Sequence, residues 1–517
     1  MNSSSRESTS QRARRAVQQA NCLTVYDLFR EQASARSDHV AIRYGEKKYT
    51  YGQLAGRVEL VASFLCSKGI GRGDRIAILS ENRPEYLEVQ LAAAKIGAMV
   101  ACQNWRLAVP ELEHCVNLVS PSLLLHSHRF EKAANVVNKP GTEKICLGPD
   151  FEAALANAGS CPAPQNADSE DGLIILYTSG TTGHPKAAVL SHRAEIARMM
   201  VLRLDLGIDK NDCYLAWSPM FHMGGTDHSL STLMMGGSVL LADGFDPATI
   251  ANVIAQYKLG WLLLVPATIE PLVELLKAED INIKGVKVVG CMADLVPPAI
   301  IAEVSQLLGA SFFNSFGSTE TGLPPASAGL IPPGTTPENL SKRQSSLCRF
   351  RIVDQEGKDC LPGQTGEGIV KGPTLFSGYW NAPEINAREF ANGWFHMGDL
   401  FRRNSDGSFD FVGRAKYLIK SGGENIYPAE IERVLLSDPR ISEAVVVRKP
   451  DARWGEIPVA FVSRYTDDIA EQDIEQLCRR ELAGYKRPKA IYFVEYEQFP
   501  RSATGKILRE EVEKWLS

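Results

Sequence analysis

The sequence predicts an α/β protein with a large N-terminal domain built from βαβ-based sheets and a small, mobile α+β C-terminal domain. Strand-like and helix-like segments alternate through most of the 517 residues, which is typical of βαβ units with mainly parallel strands. Beyond residue 428 the apolar segments become shorter. At roughly 100–200 residues per domain, the chain is long enough for this division.

Two stretches carry the βαβ prediction. In the first, the apolar run "RIAILS" at 75–80 leads through a helical pattern at 81–97 to a second apolar run at 98–104. In the second, "WLLLVPA", "TIEPLVELLKAE" and "VKVVGCMA" repeat this order between Trp261 and Ala293. Each stretch is therefore predicted to form a strand, a helix and a second, parallel strand.

The C-terminal region has shorter patterns. Ile431, Val434 and Leu435 recur at helical spacing, and the runs "EAVVVR" at 443–448 and "PVAFVSR" at 458–464 predict strands. A second helical stripe consists of Ile474, Leu477, Cys478 and Leu482. These patterns predict a separate α+β domain of about a hundred residues.

The expected domain limits follow from these segments. We predict a disordered tail at 1–20, a large domain at 21–414 and a small domain at 415–517. The tail "MNSSSRESTSQRARR" is polar, shows no helical apolar spacing and lacks the apolar stretch of a secretory signal.

Composition limits the class of protein. With 44% hydrophobic and 23% charged residues and a net charge of −5, the chain resembles ordinary globular proteins and offers no overall attraction to nucleic acid. The 11 cysteines show no CxxC spacing, which favours a reducing, cytoplasmic location. No run of about 18 apolar residues occurs, so no membrane span is expected.

The loop "YTSGTTGHPK" at 177–186 carries the strongest chemical signal. It follows the apolar run 173–177 and combines two glycines and four hydroxyl side chains with Lys186. Backbone amides of such turns bind phosphate oxygens, and hydroxyls and a lysine add further donors. The nucleotide-hydrolase motif G-x-x-x-x-G-K-[ST] does not fit, because Ala187 follows the lysine and "AAVLS" predicts a strand before a helix capped by Ser191.

This loop resembles the phosphate loop of the adenylate-forming superfamily, which includes acyl- and aryl-CoA synthetases, luciferases and the adenylation domains of peptide synthetases. Four more motifs follow in that family's order: "NSFGSTE" at 314–320, "GWFHMGDL" at 393–400, "GRAKYLIKSGGENIYPAEIE" at 413–432 and "PRSATGKILR" at 500–509. The likeness runs from about residue 23 to the C-terminus. Five motifs in order make chance similarity a poor explanation.

The resemblance implies a reaction in two halves. The carboxylate of an acid attacks the α-phosphate of ATP, giving an acyl-adenylate and pyrophosphate, and a thiol then displaces AMP. Because negative charge develops at phosphorus, such a site needs cations, hydrogen-bond donors and a metal rather than a nucleophilic side chain. The expected activity is an ATP-dependent carboxylate–CoA ligase with Mg²⁺, using ATP and CoA as co-substrates.

The resemblance also implies the residues of the nucleotide site. They are Thr178, Ser179, Gly180, Thr181, Thr182, Gly183, Lys186, Phe316, Gly317, Thr319, Glu320, Asp399, Arg414 and Lys506. Glu320 is expected to bind Mg²⁺ with Thr178, and Lys186 to bind the departing pyrophosphate. Lys506 is expected at the carboxylate and α-phosphate oxygens during adenylation.

Three of these residues are assigned to adenosine. Asp399 corresponds to the family's ribose-binding carboxylate, and Arg414 is expected beside it, on ribose or phosphate. Phe316 stands where the family often has a tyrosine stacked on adenine, with packing in the core as its alternative role.

The predicted acyl pocket comprises His222, Met223, Gly290, Cys291 and Met292. Here the chain departs from the family, because "CMAD" at 291–294 replaces a Gly-Gly-Ala-Pro-like segment and "SSLCRFRIVD" at 345–354 lacks a Gly-rich entry. No lysine or arginine occurs in 221–230 or 288–294, so a second charge on the substrate would be buried unpaired, at a cost of several kcal/mol. We therefore expect a compact apolar acid, aromatic, alicyclic or medium-chain.

The predicted CoA site comprises Arg106, Gly422, Gly423, Trp454, Tyr485, Arg487 and Lys489. The interleaved aromatic and cationic residues resemble the site of chlorobenzoate–CoA ligases, which also share "PKAA" and "SGGENI". Lys416 occupies the family's hinge position. The alternative to a CoA site is a merely basic surface.

Other functions stay open at this point. They are a free-standing adenylation enzyme that loads a carrier protein, a fatty acyl-CoA synthetase and a non-catalytic nucleotide-binding protein. A non-catalytic protein is expected to lose Lys506 or Glu320, and both are present. The partners expected are a carboxylic acid, ATP and CoA, with a homodimer as one option for assembly.

Overall fold

A computed structural model describes residues 9–137, 141–159, 161–178, 185–294, 296–421, 424–501, 505 and 507–516. Its helices are α1 (Thr9–Asn21), α2 (Val25–Ala35), α3 (Tyr51–Ser67), α4 (Pro84–Ile96), α5 (Val109–Val119), α6 (Glu131–Val137), α7 (Pro149–Asn157), α8 (His192–Leu206), α9 (Met223–Met235), α10 (Pro247–Gln256), α11 (Pro266–Ala278), α12 (Pro298–Leu308), α13 (Pro383–Glu389), α14 (Pro428–Leu435), α15 (Glu471–Glu481) and α16 (Arg509–Glu513).

The strands up to residue 314 are β1 (Val40–Tyr44), β2 (Lys47–Thr50), β3 (Arg75–Leu79), β4 (Met99–Cys102), β5 (Leu123–His126), β6 (Glu143–Cys146), β7 (Gly172–Thr178), β8 (Lys186–Ser191), β9 (Cys213–Ala216), β10 (Ser238–Leu241), β11 (Leu259–Leu263), β12 (Val286–Cys291) and β13 (Ser311–Asn314). The later strands are β14 (Phe316–Ser318), β15 (Gly322–Ala326), β16 (Arg349–Val353), β17 (Thr365–Lys371), β18 (Phe395–Arg403), β19 (Phe409–Arg414), β20 (Ile419–Ser421), β21 (Glu424–Ile426), β22 (Ile441–Asp451), β23 (Gly455–Arg464) and β24 (Ile491–Phe493).

The first sheet has the order β6-β5-β3-β4-β7-β8, and its strands are parallel except for the antiparallel pair β7–β8. The unit predicted at 75–104 is β3-α4-β4, with Arg75 opposite Met99. Helix α4 is almost entirely buried, which suits a parallel sheet covered on its faces. The first predicted βαβ unit is confirmed.

The second sheet has the order β13-β12-β11-β9-β10-β1-β2, again parallel except at β1–β2. The unit predicted between Trp261 and Ala293 is β11-α11-β12, and is confirmed. Cys291 and Asn314 end the neighbouring strands β12 and β13 and lie opposite each other. Ligands of open α/β sheets bind outside such carboxyl ends, so this edge is where a site is expected.

Three further sheets occur in the described residues, of which the smallest is the antiparallel pair β14–β15. The strands β16-β17-β18-β19 form an antiparallel sheet that ends at Arg414. The C-terminal sheet has the order β21-β20-β23-β22, with β24 parallel to β23, and packs with α14 and α15 around its own apolar core. The predicted large βαβ-based domain and small α+β domain are thereby confirmed.

The junction between these sheets is a short turn. After Arg414 the chain forms a 3₁₀ turn, Ala415–Tyr417, which coincides with the predicted division at 414/415. Lys416 Nζ lies 2.8 Å from Glu510 Oε1 in α16. A cavity of about 550 Å³ separates the large domain from α14, with Phe411 and Asp294 on one wall and Arg433 on the other. The facing surfaces are therefore incompletely packed here.

The prediction for the N-terminus is corrected. Residues Thr9–Asn21 form the helix α1, whereas a disordered tail was expected over 1–20. The segment is rich in alanine, arginine and glutamine, which are strong helix formers even without an apolar face. Residues 1–8 lie outside the described residues. Among the described helices, none combines the length and apolar character that crossing a membrane requires.

Candidate active site

The predicted phosphate loop connects two paired strands. β7 ends at Thr178 and β8 begins at Lys186, and these two residues are opposite each other in the antiparallel pair. The expected strand "AAVLS" is present, and Ser191 caps α8 by accepting from the backbone N–H of Ala194. Ser179, Gly180, Thr181, Thr182 and Gly183 lie outside the described residues, so their predicted roles stay predictions.

Thr178 carries an unsatisfied polar group at the mouth of this loop. Its Oγ1 is buried and has no hydrogen-bond partner within the part of the chain that the structure describes. Leaving a buried hydroxyl unpaired is costly, typically about 1–3 kcal/mol. A phosphate oxygen or a hydrated metal ion would satisfy it, so the hydroxyl fits the predicted nucleotide and Mg²⁺ site.

Lys186 and Glu320 are brought together by a tyrosine. The Tyr379 hydroxyl donates to Glu320 Oε1 at 2.8 Å, and Lys186 Nζ lies 3.8 Å from the centre of the Tyr379 ring. Lys186 also lies 3.3 Å from Glu389 Oε1. An ammonium and a carboxylate thus converge beside the loop, as the sequence predicted, although Tyr379 and Glu389 were not anticipated.

A buried arginine that sequence reasoning missed supports the Glu320 segment. Arg198, on α8, is 4% exposed and donates to Asp227 Oδ2 at 2.7 Å, to the Thr319 carbonyl at 2.9 Å and to the Thr374 carbonyl at 3.1 Å. It ties α9 to the residue before Glu320. An arginine inside a helical pattern carries no sequence signal that it will be buried, since most are exposed.

Glu320 and its neighbours sit on the β14–β15 hairpin. The Phe376 N–H donates to the Glu320 carbonyl at 2.9 Å. Gly317 faces the other strand so closely that a Cβ would lie 2.0 Å from the Gly322 carbonyl oxygen. Gly317 is therefore required by the close approach of the two backbones. Its role in nucleotide binding stays a prediction.

Asp399 and Arg414 form an ion pair, which is the alternative to the predicted contact of Arg414 with ribose or phosphate. They lie opposite each other on β18 and β19, and Arg414 Nε is 2.8 Å from Asp399 Oδ1. Asp399 is 2% exposed, whereas the Arg414 side chain is 41% exposed. The arrangement holds the carboxylate in place and leaves the cation open to a ligand.

Phe316 is packed in an aromatic cluster. It is 2% exposed, with ring centroids 5.0 Å from Phe401 and 4.8 Å from Phe411. So little exposed ring face is available to an adenine that the contacts support the core-packing alternative. Its stacking on adenine stays a prediction that requires the cluster to open.

The predicted acyl pocket gathers around the start of α9 and the end of β12. His222 caps α9 by accepting from the Gly224 N–H at 3.2 Å, and Met223 is the first helical residue. Burial, together with the nearby charge of Arg106, lowers the pKa of His222 to about 4. The imidazole is therefore neutral near pH 7, when it can accept a hydrogen bond at Nδ1.

On β12, Gly290 and Cys291 are confined. A Cβ on Gly290 would lie 2.1 Å from the Phe313 carbonyl oxygen, which excludes larger residues. Cys291 is 2% exposed, and burial raises the pKa of its thiol to about 12, so it is a packing residue rather than a nucleophile. Met292 is 37% exposed, so it is less confined than Gly290 and Cys291.

The variant segment 291–294 is packed against residues just before 345. Lys342 is fully buried and donates to both oxygens of Asp294 at 2.8 and 3.0 Å. Asn314 accepts from the Ala293 N–H and donates to the Leu340 carbonyl. Residues 340 and 342 therefore fix this end of the predicted acyl pocket.

The predicted CoA residues lie on different elements. Arg106 packs on Trp105, 4.9 Å from the ring centroid, and lies near His222 in the large domain. On the small domain, Trp454 and Tyr485 are 44% and 40% exposed. Arg487 donates to the carbonyls of Leu482 and Arg479, and Lys489 follows the 3₁₀ turn Gly484–Lys486. Gly422, Gly423 and the adenylation lysine Lys506 lie outside the described residues.

Comparison with known proteins identifies similar sequences over almost the whole chain. The AMP-binding enzyme family matches residues 29–380, and the AMP-binding enzyme C-terminal domain matches residues 430–506. The indoleacetate–CoA ligase of Aromatoleum aromaticum is 34% identical over 490 residues, covering 92% of this chain and 95% of that protein. A feruloyl-CoA synthase of Amycolatopsis sp. is 32% identical over 482 residues, covering 92% and 95%.

Similar proteins are also found among solved structures. The o-succinylbenzoate–CoA synthetase of Bacillus subtilis, solved with its acyl-adenylate intermediate, superposes with a TM-score of 0.82 at 26% identity. The match covers 95% of this chain and 98% of that one. The same enzyme has also been solved with ATP and a magnesium ion, at a TM-score of 0.82.

Proposed function

The chain belongs to the AMP-binding enzyme family, and we propose that it is an AMP-forming carboxylate–CoA ligase for a compact apolar acid. The class of enzyme, an acid–thiol ligase that uses ATP, Mg²⁺ and CoA, is confirmed by the family match and by CoA ligases among its relatives. The observation that carries the proposal is the convergence of Thr178, Lys186 and Glu320 at the end of β7.

These residues suit the first half-reaction. When the acid's carboxylate attacks the α-phosphate, pyrophosphate leaves with additional negative charge, and Lys186 is proposed to bind it. Glu320 and Thr178 would hold Mg²⁺, whose charge offsets that of the phosphates. The unsatisfied Thr178 hydroxyl supports this assignment. Asp399 and Arg414 are proposed to hold the ribose.

The acid is proposed to be compact and without a second charge. The buried cations nearest the pocket segments, Arg198 and Lys342, are already paired with Asp227 and Asp294. A second carboxylate at either of these cations would have to break its pair. Arg106 is exposed and close enough to His222 to lower its pKa, so it is the cation that a second carboxylate could reach.

A panel of acids tests this proposal. With ATP, Mg²⁺ and CoA, we expect pyrophosphate release and thioester formation with ring acids such as indoleacetate and ferulate, which name two relatives. Turnover of 2-succinylbenzoate, a diacid named in other relatives at 32% identity, should be weak. Strong turnover of 2-succinylbenzoate or of palmitate, with no turnover of indoleacetate or ferulate, would contradict a compact pocket for an acid without a second charge.

CoA is proposed to bind at the exposed aromatic and cationic residues of the small domain. The Trp454 backbone N–H donates to Asp451 Oδ1 at 2.8 Å, and the Arg453 guanidinium lies 4.7 Å from the centroid of the indole ring. An exposed indole with a cation above it is a good platform for the adenine of CoA. Tyr485, Arg487, Lys489 and Arg106 are proposed to complete the site.

Replacing the exposed indole tests this site. Trp454→Ala should raise the KM for CoA about 10-fold, because aromatic stacking on a base is worth roughly 1–3 kcal/mol. Acid-dependent pyrophosphate release without CoA should be unchanged, since that half-reaction does not use the thiol. Tyr492→Ala, at a 43% exposed aromatic of the same domain, is the matched control. An unchanged KM in Trp454→Ala would leave the merely basic surface as the better interpretation.

Loading of a carrier protein is the second candidate function. Both functions begin with the same adenylate formation, so the nucleotide site does not distinguish them. The exposed aromatic and cationic residues around Trp454 favour free CoA as the acceptor. A homodimer and a cytoplasmic location remain predictions from the sequence.

A further inference from the structure

Tyr379 lies between the two opposite charges of the candidate site. Its side chain is nearly buried, at 5% exposed. The hydroxyl donates to Glu320 Oε1, while the ring face lies against the ammonium of Lys186, 3.8 Å from its centre. One side chain therefore contacts the Glu320 carboxylate through its hydroxyl and the Lys186 ammonium through its ring face.

We propose that Tyr379 is a positioning residue that holds the Glu320 carboxylate through its hydroxyl and the Lys186 ammonium on its ring face, so that both groups are set for the nucleotide and its metal. This inference rests on the proposed function, because it takes Lys186 to bind pyrophosphate and Glu320 to bind Mg²⁺. The two contacts use different atoms of Tyr379, so neither excludes the other. Lys186 is also paired with Glu389 at 3.3 Å, and a pyrophosphate at the ammonium would compete with that carboxylate.

A second cluster in the same protein has similar tyrosine contacts but a different ion pair. Tyr26 is 6% exposed and donates to Glu59 at 2.5 Å, and Lys95 lies 5.6 Å from the Tyr26 ring centre. There the lysine also pairs directly with the glutamate. In the candidate site the ammonium sits closer to its ring, and its described ion-pair partner is Glu389 rather than the glutamate that holds the tyrosine hydroxyl.

The backbone around Tyr379 fixes the ring in this place. Asn386 accepts from the Tyr379 N–H at 2.8 Å and donates to the Tyr379 carbonyl at 2.9 Å. The segment also pairs with β8, through the bridge to Ala188 and a 2.8 Å hydrogen bond from the Trp380 N–H to the Ala187 carbonyl. Since β8 begins with Lys186, the tyrosine and the lysine are carried on adjacent, hydrogen-bonded segments.

The hydroxyl contacts one carboxylate oxygen of Glu320. It donates to Oε1 at 2.8 Å, which orients that oxygen and leaves the other carboxylate oxygen to a metal.

Two substitutions separate the hydroxyl from the ring. Tyr379→Phe keeps the ring face and removes the donor, so the Mg²⁺ concentration for half-maximal binding of pyrophosphate should rise about 3- to 10-fold. Tyr379→Leu removes both, and pyrophosphate affinity at saturating Mg²⁺ should fall by a further factor of about 10. Calorimetry of the full chain with magnesium and inorganic pyrophosphate measures both effects without any turnover.

A spectroscopic readout tests the ring contact in the ligand-free protein. After reductive ¹³C-methylation of lysines, the Lys186 signal, assigned with Lys186→Ala, should be shifted upfield by the ring current. The shift should persist in Tyr379→Phe and vanish in Tyr379→Leu. Tyr26→Phe, which removes an equivalent bond to Glu59 at similar burial, should change neither the Mg²⁺ dependence nor this signal.

The role of Tyr379 is overturned if Tyr379→Phe has the Mg²⁺ dependence of Tyr26→Phe, or if Tyr379→Leu leaves the Lys186 signal in place. The first result needs only the conservative variant, so the test remains conclusive even if Tyr379→Leu folds poorly. Failure of the wild-type protein to form an adenylate with any acid would instead reject the proposed function. In that case the Lys186 signal still decides whether the ring holds the ammonium.

Discussion

Lys506→Ala should lower the rate of adenylate formation by roughly 10²–10³-fold, the usual cost of removing one donor to a developing oxyanion. Thioester formation from supplied acyl-adenylate should change far less, because by its resemblance to the family this lysine serves only the first half-reaction. Rapid-quench measurement of pyrophosphate release, beside thioester formation from the synthetic adenylate, separates the two steps.

Lys514→Ala is the control for this experiment. Its side chain is 67% exposed and pairs with Glu511 on the surface, so its removal should affect neither step. Equal losses in both half-reactions of Lys506→Ala would mean that the lysine supports folding or both conformations. The role proposed for it would then be wrong.

Lys416→Pro is expected to trap one orientation of the small domain. Lys506 and the Gly422–Gly423 segment belong to the same small domain, and by resemblance they serve different half-reactions, so the domain has to turn between steps. A hinge residue must absorb a large change in φ, and proline fixes φ near −65°. Lys416 lies in a 3₁₀ turn, whose φ of about −50 to −70° proline can adopt. One orientation should therefore persist, and we expect adenylation to be retained and thioester formation to be lost.

Stopped-flow measurement of both half-reactions decides this prediction, with a thermal melt to check stability. Lys416→Ala is the matched control, because it removes the ion pair with Glu510 but leaves φ free. It should retain both half-reactions. Parallel loss of the two steps in Lys416→Pro would falsify the hinge and indicate that the residue only shapes a turn.

Much of the fold was predictable from short patterns in the sequence. The units β3-α4-β4 and β11-α11-β12 were predictable because parallel strands buried on both faces give continuous apolar runs. β8 and its Ser191 cap were predictable for similar reasons, since capping residues and strands leave short-range signals. Asp399 and Arg414 were assigned to one site by resemblance, and the antiparallel pair of β18 and β19 brings them opposite each other, while their contact with ribose stays a prediction.

Other features depend on contacts that one sequence does not display. Arg198 is buried because Asp227 and two carbonyls from distant segments surround it, and Tyr379 acquires its position from β8 and Asn386. Phe316 matched a motif position, yet its packing against Phe401 and Phe411 depends on two strands far along the chain. Such residues become visible only when tertiary neighbours are known.

The pair Asp294–Lys342 shows how one departure from the family pattern is accommodated. Asp294 stands in the variant segment 291–294, and Lys342 comes from a distant part of the chain. A lone buried lysine would be strongly unfavourable, and the buried carboxylate of Asp294 provides its counter-charge. Neither residue predicts the other from sequence alone.

The most direct test of the account is to incubate the purified chain with ATP, Mg²⁺, CoA and ring carboxylic acids, then to measure pyrophosphate and the mass of the products. We predict acid-dependent pyrophosphate release, formation of AMP in equal amount and a thioester whose mass is the sum of acid and CoA less water. Release of ADP and phosphate, or acid-dependent pyrophosphate with a product that never contains CoA, would contradict an AMP-forming carboxylate–CoA ligase.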